Sequence, residues 1–264
     1  MTNNELKYFE KLKQKKYRDL ENKFLIEGVH LIEECLDSKM YSNELEKIFI
    51  REDFVNEDLI TGIKDRKAAI ELIPLDEKIF NNLSETVNSQ GIIGVVNKSV
   101  RKLQNDNLKS NQILLVALDN INDPGNLGTI LRTCYWFGVH EVAISDNSAD
   151  IYNSKVIRSS QGAIFNLIIQ EKLNLEYELD KYFNNNFAVY LSDANANNTL
   201  SNLVVNVEKK IVLVFGNEAN GISKEILANK NYSGIRVKGF SNCESLNVAV
   251  TAGIVLYEFK MLQI

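Results

Sequence analysis

Asn126, Arg132, Glu218, Ser245 and Asn247 are polar side chains set in otherwise apolar or glycine-rich surroundings, where their chemistry would be exerted at close quarters. The most telling context is the loop Phe215-Gly216-Asn217-Glu218-Ala219-Asn220-Gly221-Ile222-Ser223, which follows the apolar run Ile211-Val212-Leu213-Val214. A buried strand, two spaced glycines and a hydroxyl are the parts of a phosphate-cradling loop. Ile222, however, stands where the lysine of such a loop belongs, and Glu218 would repel the phosphates that backbone N–H groups are meant to hold. The loop therefore suits close backbone approach to a ligand that is not a nucleoside triphosphate.

Two other stretches have comparable content. Asp123-Pro124-Gly125-Asn126-Leu127-Gly128-Thr129-Ile130-Leu131-Arg132 follows a strand pattern and opens a helix. Asp-Pro-Gly is turn chemistry and Asn126 suits an N-cap, but neither accounts for Arg132, nearly two helical turns further on. Glu244-Ser245-Leu246-Asn247 leads into an apolar C-terminal segment. There Ser245 suits an N-cap, and Asn247 needs a partner if buried. A basic stretch from Tyr152 to Ala163 contains Lys155, Arg158, Ser160 and Gly162. A dinucleotide fold is a competing reading, with Gly125, Gly128 and Asp146 in the relevant order, but its turn is too long and its glycine pattern incomplete.

The elements that must position these groups fall into two α/β units. Up to about Asn97, short helical patterns (Asn3 to Leu12, Val29 to Leu36, Leu59 to Arg66) alternate with strand patterns (Phe24 to Ile26, Leu45 to Ile50, Ala69 to Ile73, Gly91 to Val96). Residues 98–111 are polar and form the expected linker. From residue 112 to 264, the runs Ile113 to Leu118, Phe187 to Leu191 and Ile211 to Phe215 are apolar throughout, as in a parallel sheet covered on both faces. A last helix from about Leu246 to Leu262 is apolar on most sides and is expected to be well buried.

Composition narrows the class. The 264 residues are 45% hydrophobic and 25% charged, as in a globular protein. The N-terminus has no apolar core of a signal peptide, and no apolar run is long enough to span a bilayer. Cys35, Cys134 and Cys243 are odd in number and lack a C-x-x-C, which points to reduced thiols in a cytoplasmic protein. With only His30 and His140 there is no metal cluster and no histidine-driven triad. The net charge is −5, yet Lys7, Lys11, Lys13, Lys15, Lys16, Arg18 and Lys23 crowd the N-terminus, and Lys98, Arg101, Lys102 and Lys109 form a second basic cluster. Local basic patches of this kind can hold phosphates on an acidic protein; the alternative is a solvated helix face and an ordinary polar linker.

Taken in order, the three motifs resemble those of the SpoU (TrmH-like) branch of the SPOUT RNA methyltransferases. Asn126 and Arg132 match the first motif, Gly216-Asn217-Glu218 with Gly221 the second, and Ser245-Leu246-Asn247 the third. The N-terminal Lys15-Lys16-Tyr17-Arg18, Phe24-Leu25-Ile26-Glu27-Gly28 and Gln90-Gly91-Ile92 resemble an L30e-like substrate-binding domain. The family often has Ile-Pro-Met before the third motif. Here it is Ile235-Arg236-Val237, and the stretch from there to Ser245 is slightly longer than usual.

The resemblance implies a C-terminal α/β trefoil-knot domain with a parallel sheet (residues 112–264) and a smaller N-terminal L30e-like α/β domain (residues 1–97). It implies an S-adenosylmethionine-dependent methyl transfer to a ribose 2′-hydroxyl, in 23S ribosomal RNA rather than transfer RNA. Two readings stay open beside it: a transfer-RNA 2′-O-methyltransferase, and a non-catalytic RNA-binding or ribosome-assembly protein that retains the fold. It implies Asn126, Arg132, Glu218, Ser245 and Asn247 as catalytic residues, and a homodimer that shares its active site. Leu191, Gly216, Gly221, Ile235, Val237 and Leu246 would line the cofactor pocket. Lys15, Lys16, Arg18 and Arg158 would hold structured RNA. No metal is implied.

Overall fold

The structure is a computed structural model and describes residues 2–67, 70–99, 113–200, 210–242 and 244–262. Residues 100–111 of the expected linker, with Arg101, Lys102 and Lys109, lie outside the described residues, as does Cys243. Two compact units are formed: Met1–Ser99 with Asp150–Asn166, and Val100–Ala149 with Leu167–Ile264. Residues 150–166 fall in sequence inside the span 112–264 but group by contact with the N-terminal residues.

The first unit runs α1 (Asn3–Lys11), α2 (Lys15–Glu21), β1 (Lys23–Glu27), α3 (Val29–Asp37), β2 (Leu45–Arg51), α4 (Glu57–Arg66), β3 (Glu71–Leu75), α5 (Glu77–Leu83) and β4 (Ile92–Asn97). Helix α1 starts at a capping box: Thr2 accepts from the Glu5 N–H while the Glu5 carboxylate accepts from the Thr2 N–H. The sheet order is β1-β4-β2-β3, with only β2 and β3 parallel. β3 runs two residues past the expected end at Ile73 and contains Pro74. The strand is at the sheet edge, where a missing N–H donor is tolerated.

Residues 150–166 are tied into this unit by polar and aromatic contacts. Arg18 pairs with Asp150 at 2.5 Å, Ser38 Oγ donates to the Phe165 carbonyl at 2.5 Å, and the Phe24 and Tyr152 rings lie 4.7 Å apart.

The second unit contains β5 (Ile113–Leu118), α6 (Pro124–Trp136), β6 (Glu141–Ser145), β7 (Ile168–Leu173), α8 (Leu175–Asn184), β8 (Ala188–Ser192), β9 (Asn198–Thr199), β10 (Lys210–Phe215), α9 (Lys224–Leu227), β11 (Ser233–Arg236) and α10 (Val248–Leu262); α7 (Ser154–Ser160) belongs to the first unit. The strand order is β7-β6-β5-β10-β8-β11-β9, and every pairing is parallel. All of β5 and nearly all of β10 are buried, as continuous apolar runs at the centre of a two-faced parallel sheet require. Helix α10 covers one face through residues such as Phe259, whose ring lies 5.1 Å from that of Tyr190.

One expectation is corrected here. Helix α10 is not buried all round: Val248, Ala249, Ala252, Val255, Leu256 and Phe259 are buried, but Val250, Tyr257, Met261 and Leu262 are exposed.

Candidate active site

In open parallel sheets, ligands bind beyond the carboxyl ends of the strands, at the point where strand order reverses. Here β6 and β7 lie to one side of β5, and β10, β8 and β11 to the other. The loops after β5 and β10 therefore meet at that point. The chain leaves β5 into Asp119-Asn120 and β10 into Gly216-Asn217-Glu218.

The start of α6 is set by Asp123, whose carboxylate accepts from the Asn126 N–H at 2.8 Å, with Pro124 in the first turn. Asn126 is therefore not the N-cap, and its side chain is free for other work. Its Nδ2 donates to Glu218 Oε1 at 2.9 Å, and its Oδ1 accepts from Asn247 Nδ2 at 2.9 Å. Ser245 is likewise not the cap of the last helix. Asn247 Oδ1 accepts from the Ala249 and Val250 N–H groups, so Asn247 caps α10 while its amide nitrogen reaches Asn126. The structure thus brings Asn126, Glu218 and Asn247, one from each motif, into one hydrogen-bonded chain.

The loop carrying Glu218 is held from within and from behind. Asn217 and Gly221 exchange both backbone hydrogen bonds at 2.9 Å, and Asn217 Oδ1 accepts from the Ala219 and Asn220 N–H groups. Gly221 has φ +70°, and a Cβ built on Gly216 would lie 2.2 Å from the Ile222 nitrogen, so both positions require glycine. Behind the loop, the buried Asp119 accepts from the Ser223 N–H at 2.7 Å and from Asn120 Nδ2 at 2.9 Å. Asn217 Nδ2 donates to the Asn120 carbonyl at 2.8 Å. Asp119, Asn120 and Asn217 were not among the expected site residues. The available signal was an acidic residue directly after a wholly apolar strand, where a carboxylate must find donors.

Arg132 is exposed on α6 and makes no hydrogen bond or ion pair among the described residues. Six residues of helix separate it from Asn126 by about 240° and about 9 Å, so it lies away from the Asn126–Glu218–Asn247 chain. Ser245 is exposed two residues before Asn247.

Of the expected cofactor residues, strand register puts Leu191 and Ile235 on adjacent strands, with Gly216 directly after β10. Leu191 pairs with Val214 and Gly234, within two residues of the carboxyl ends of adjacent β8, β10 and β11. Ile235 is buried one residue before the end of β11, and Val237, just past the strand, is half-buried. Apolar Leu191, Ile235 and Val237 beside the open backbone of Gly216 to Gly221 suit a flat heteroaromatic ring and a polar chain. Leu246 is half exposed, directly before Asn247.

Of the expected RNA-binding residues, Lys15 and Lys16 are exposed, and Lys11 and Lys16 flank the Tyr17 ring at 5.3 and 5.9 Å. Arg18 is corrected: only 4% exposed, its guanidinium donates to Asp150 and to the Leu12 and Lys13 carbonyls. That charge is spent inside the protein and is not presented to a phosphate. Arg158 is half-buried on α7, lining a small cleft with Leu25, Glu27 and Ile157. Lys98 is committed to Asp19 at 2.6 Å. Among the described residues no group of His, Cys, Asp and Glu is placed to hold a metal ion.

Residues 113–257 match the SpoU rRNA methylase family, and residues 3–94 match the MRM3-like substrate-binding domain. The chain is 32% identical over 258 residues to the 23S rRNA (guanosine(2553)-2′-O)-methyltransferase RlmP of Bacillus subtilis, covering 98% of this chain and 96% of that one. It is 27% identical to a crystal structure of an RNA 2′-O ribose methyltransferase, with a TM-score of 0.80 over 99% of this chain and 96% of that one. The SpoU methyltransferase AviRb from Streptomyces viridochromogenes, solved with AdoMet, shares the fold at a TM-score of 0.87 and 20% identity, over 99% and 98% of the two chains.

Proposed function

The chain belongs to the SpoU rRNA methylase family, and we propose that it transfers a methyl group from S-adenosylmethionine to a ribose 2′-hydroxyl of 23S ribosomal RNA. The observation that carries this is the hydrogen-bonded chain Glu218–Asn126–Asn247, which joins three distant motifs at the carboxyl edge of a parallel sheet. The choice of 23S RNA rests on the Bacillus subtilis relative, which this chain matches over nearly its whole length.

Leu191, Gly216, Gly221, Ile235, Val237 and Leu246 would hold the cofactor. When bound, S-adenosylmethionine supplies an electrophilic methyl group on a cationic sulfonium, with a neutral thioether as leaving group. The carboxylate of Glu218, which argued against a phosphate ligand, is compatible with that cation. What the protein must add is alignment of a poor nucleophile at near-attack distance. Arg132, exposed and uncommitted, grips the phosphate beside the target ribose and aligns the 2′-hydroxyl. A guanidinium donates hydrogen bonds and has no acceptor, so it holds and aligns the hydroxyl, whose proton passes to solvent as the oxygen–methyl bond forms. Asn126 and Asn247 fix the orientation of Glu218, and Ser245 orients the ribose from the adjoining turn.

A homodimer completes the site in this reading. Arg132 lies away from the Asn126–Glu218–Asn247 chain of its own subunit. Val250, Ile254, Tyr257 and Met261 make an apolar stripe along α10, three of them exposed, and Trp136 at the end of α6 is 83% exposed. Such a stripe at helical spacing suits a second copy of the chain. Residues 1–97 serve as the substrate-binding domain, with Lys15 and Lys16 on RNA phosphates. Buried, unpaired Cys35 and Cys134 support a cytoplasmic location.

The test is transfer of a labelled methyl group to 23S RNA followed by alkaline hydrolysis. A 2′-O-methylated ribose cannot form the cyclic phosphate, so the label should appear in an alkali-resistant dinucleotide. Label in mononucleotides alone would mean base methylation and defeat the reading.

A further inference from the structure

Between β11 and the third motif lies a segment that the mechanism above leaves unused. Arg236, Lys238 and Phe240 are all exposed, while Val237 between the first two is half-buried. In extended chain, side chains alternate between faces. Val237 therefore turns inward with Ile235, and the charged pair turns out. The Lys238 ammonium lies 5.4 Å from the Phe240 ring centroid, which places cation and ring on one side. Phe240 is 90% exposed, the highest exposure of any described aromatic residue. A ring left in water with one cation beside it, and a second exposed cation two residues before that one, matches a nucleobase and its phosphates: a flat apolar face for stacking, with positive charge close by. Five residues on, the chain reaches Ser245, so Phe240 lies close in sequence to the third motif.

We propose that Phe240 is a stacking platform for an unpaired base at or next to the methylated nucleotide, with Arg236 and Lys238 on the adjoining phosphates. This rests on the methyltransferase reading and deepens it. A base can lie on Phe240 only if its face is uncovered, so the substrate nucleotide sits in a single-stranded or looped segment. The stretch from Val237 to Ser245, slightly longer than in the family at large, would then be what adapts the site to its RNA.

The experiment compares wild type, Phe240→Ala, Phe240→Trp and Phe240→Leu in two assays. In methyl transfer to a 23S RNA transcript, Phe240→Ala should raise KM for RNA about tenfold. S-adenosylmethionine affinity and molecular mass should stay as in wild type. Phe240→Trp should restore KM and Phe240→Leu should not. In the second assay, the fluorescence that Phe240→Trp adds over wild type should be quenched by a single-stranded RNA 12-mer and not by its duplex. A wild-type KM for Phe240→Ala, equal rescue by leucine, or a fall in mass (which would assign the ring to a contact between copies) overturns the proposal. The assays also separate the two readings. Quenching without any methyl transfer by wild type upholds the platform and defeats the transferase; transfer without quenching does the reverse.

Discussion

Asn126 donates its side-chain amide to Glu218 Oε1 at 2.9 Å across 92 residues of sequence, and the same side chain accepts from Asn247 through its other atom. A side-chain amide offers a donor and an acceptor in a fixed plane. At this position it lets the first motif hold the second and third at once. The arrangement depends on Asp123 taking over the helix cap, since an Asn126 engaged with its own backbone would have no atoms left for the other motifs.

Asn126→Ala should therefore lower turnover about 10- to 100-fold, in line with the loss of a residue that orients others. S-adenosylmethionine affinity should change little. Asn126→Asp should be worse than alanine, because it sets a second carboxylate against Glu218. Steady-state kinetics on the same RNA checks both. An aspartate variant with more activity than the alanine variant would contradict the proposed orienting role.

Gly216→Ala should disable the loop without touching any polar group. The added Cβ would meet the Ile222 nitrogen at 2.2 Å, so the backbone must move. Overpacking of this kind costs about 1–3 kcal/mol. A lower Tm together with lost S-adenosylmethionine binding by calorimetry is the expected result.

Arg18 and the two exposed lysines should separate stability from RNA affinity. Arg18 and Asp150 form a buried ion pair, and removing one partner of such a pair costs about 3–5 kcal/mol. Arg18→Ala should lower Tm strongly. Lys15→Ala and Lys16→Ala should leave Tm unchanged and weaken RNA binding, each reducing the slope of log affinity against log salt by about 1. Thermal melts and binding titrations at several salt concentrations measure the two effects.

Glu141 gives a pH dependence with a definite sign. Burial raises its carboxyl pKa above 4.5, although Tyr182 and Gln170 donate to Oε1; Oε2 has no partner among the described residues. The folded state thus keeps a proton that the unfolded chain has lost. The associated stability is fully present below 4.5 and is lost as pH rises through the folded value. Glu141→Gln removes that loss. As pH rises from 4.5 through the folded value, the Tm of the variant should rise relative to wild type, as read by paired melts.

Much of this was legible in the sequence where one physical signal dominated. Strands β5, β8 and β10 are nearly unbroken apolar runs, and the structure places them within a residue or so of the expected positions. Strand β11 has four residues of which only Ile235 is buried, so it carries no period to read. The caps were misassigned for a related reason. Asp123 and Asn126 are both good caps, as are Ser245 and Asn247, and local preference does not choose between them. The choice is made by partners about a hundred residues away. Arg18 looked like one more cation in a basic run. Its burial depends on Asp150, which the chain order gives no cause to place beside it.

The most direct test of the central claim is methyl transfer to 23S RNA by wild type and by Arg132→Ala, with S-adenosylmethionine binding measured on both. The account predicts alkali-resistant labelled dinucleotide from wild type, none from Arg132→Ala, and equal cofactor affinity. Arg132→Ala turning over at the wild-type rate would contradict it.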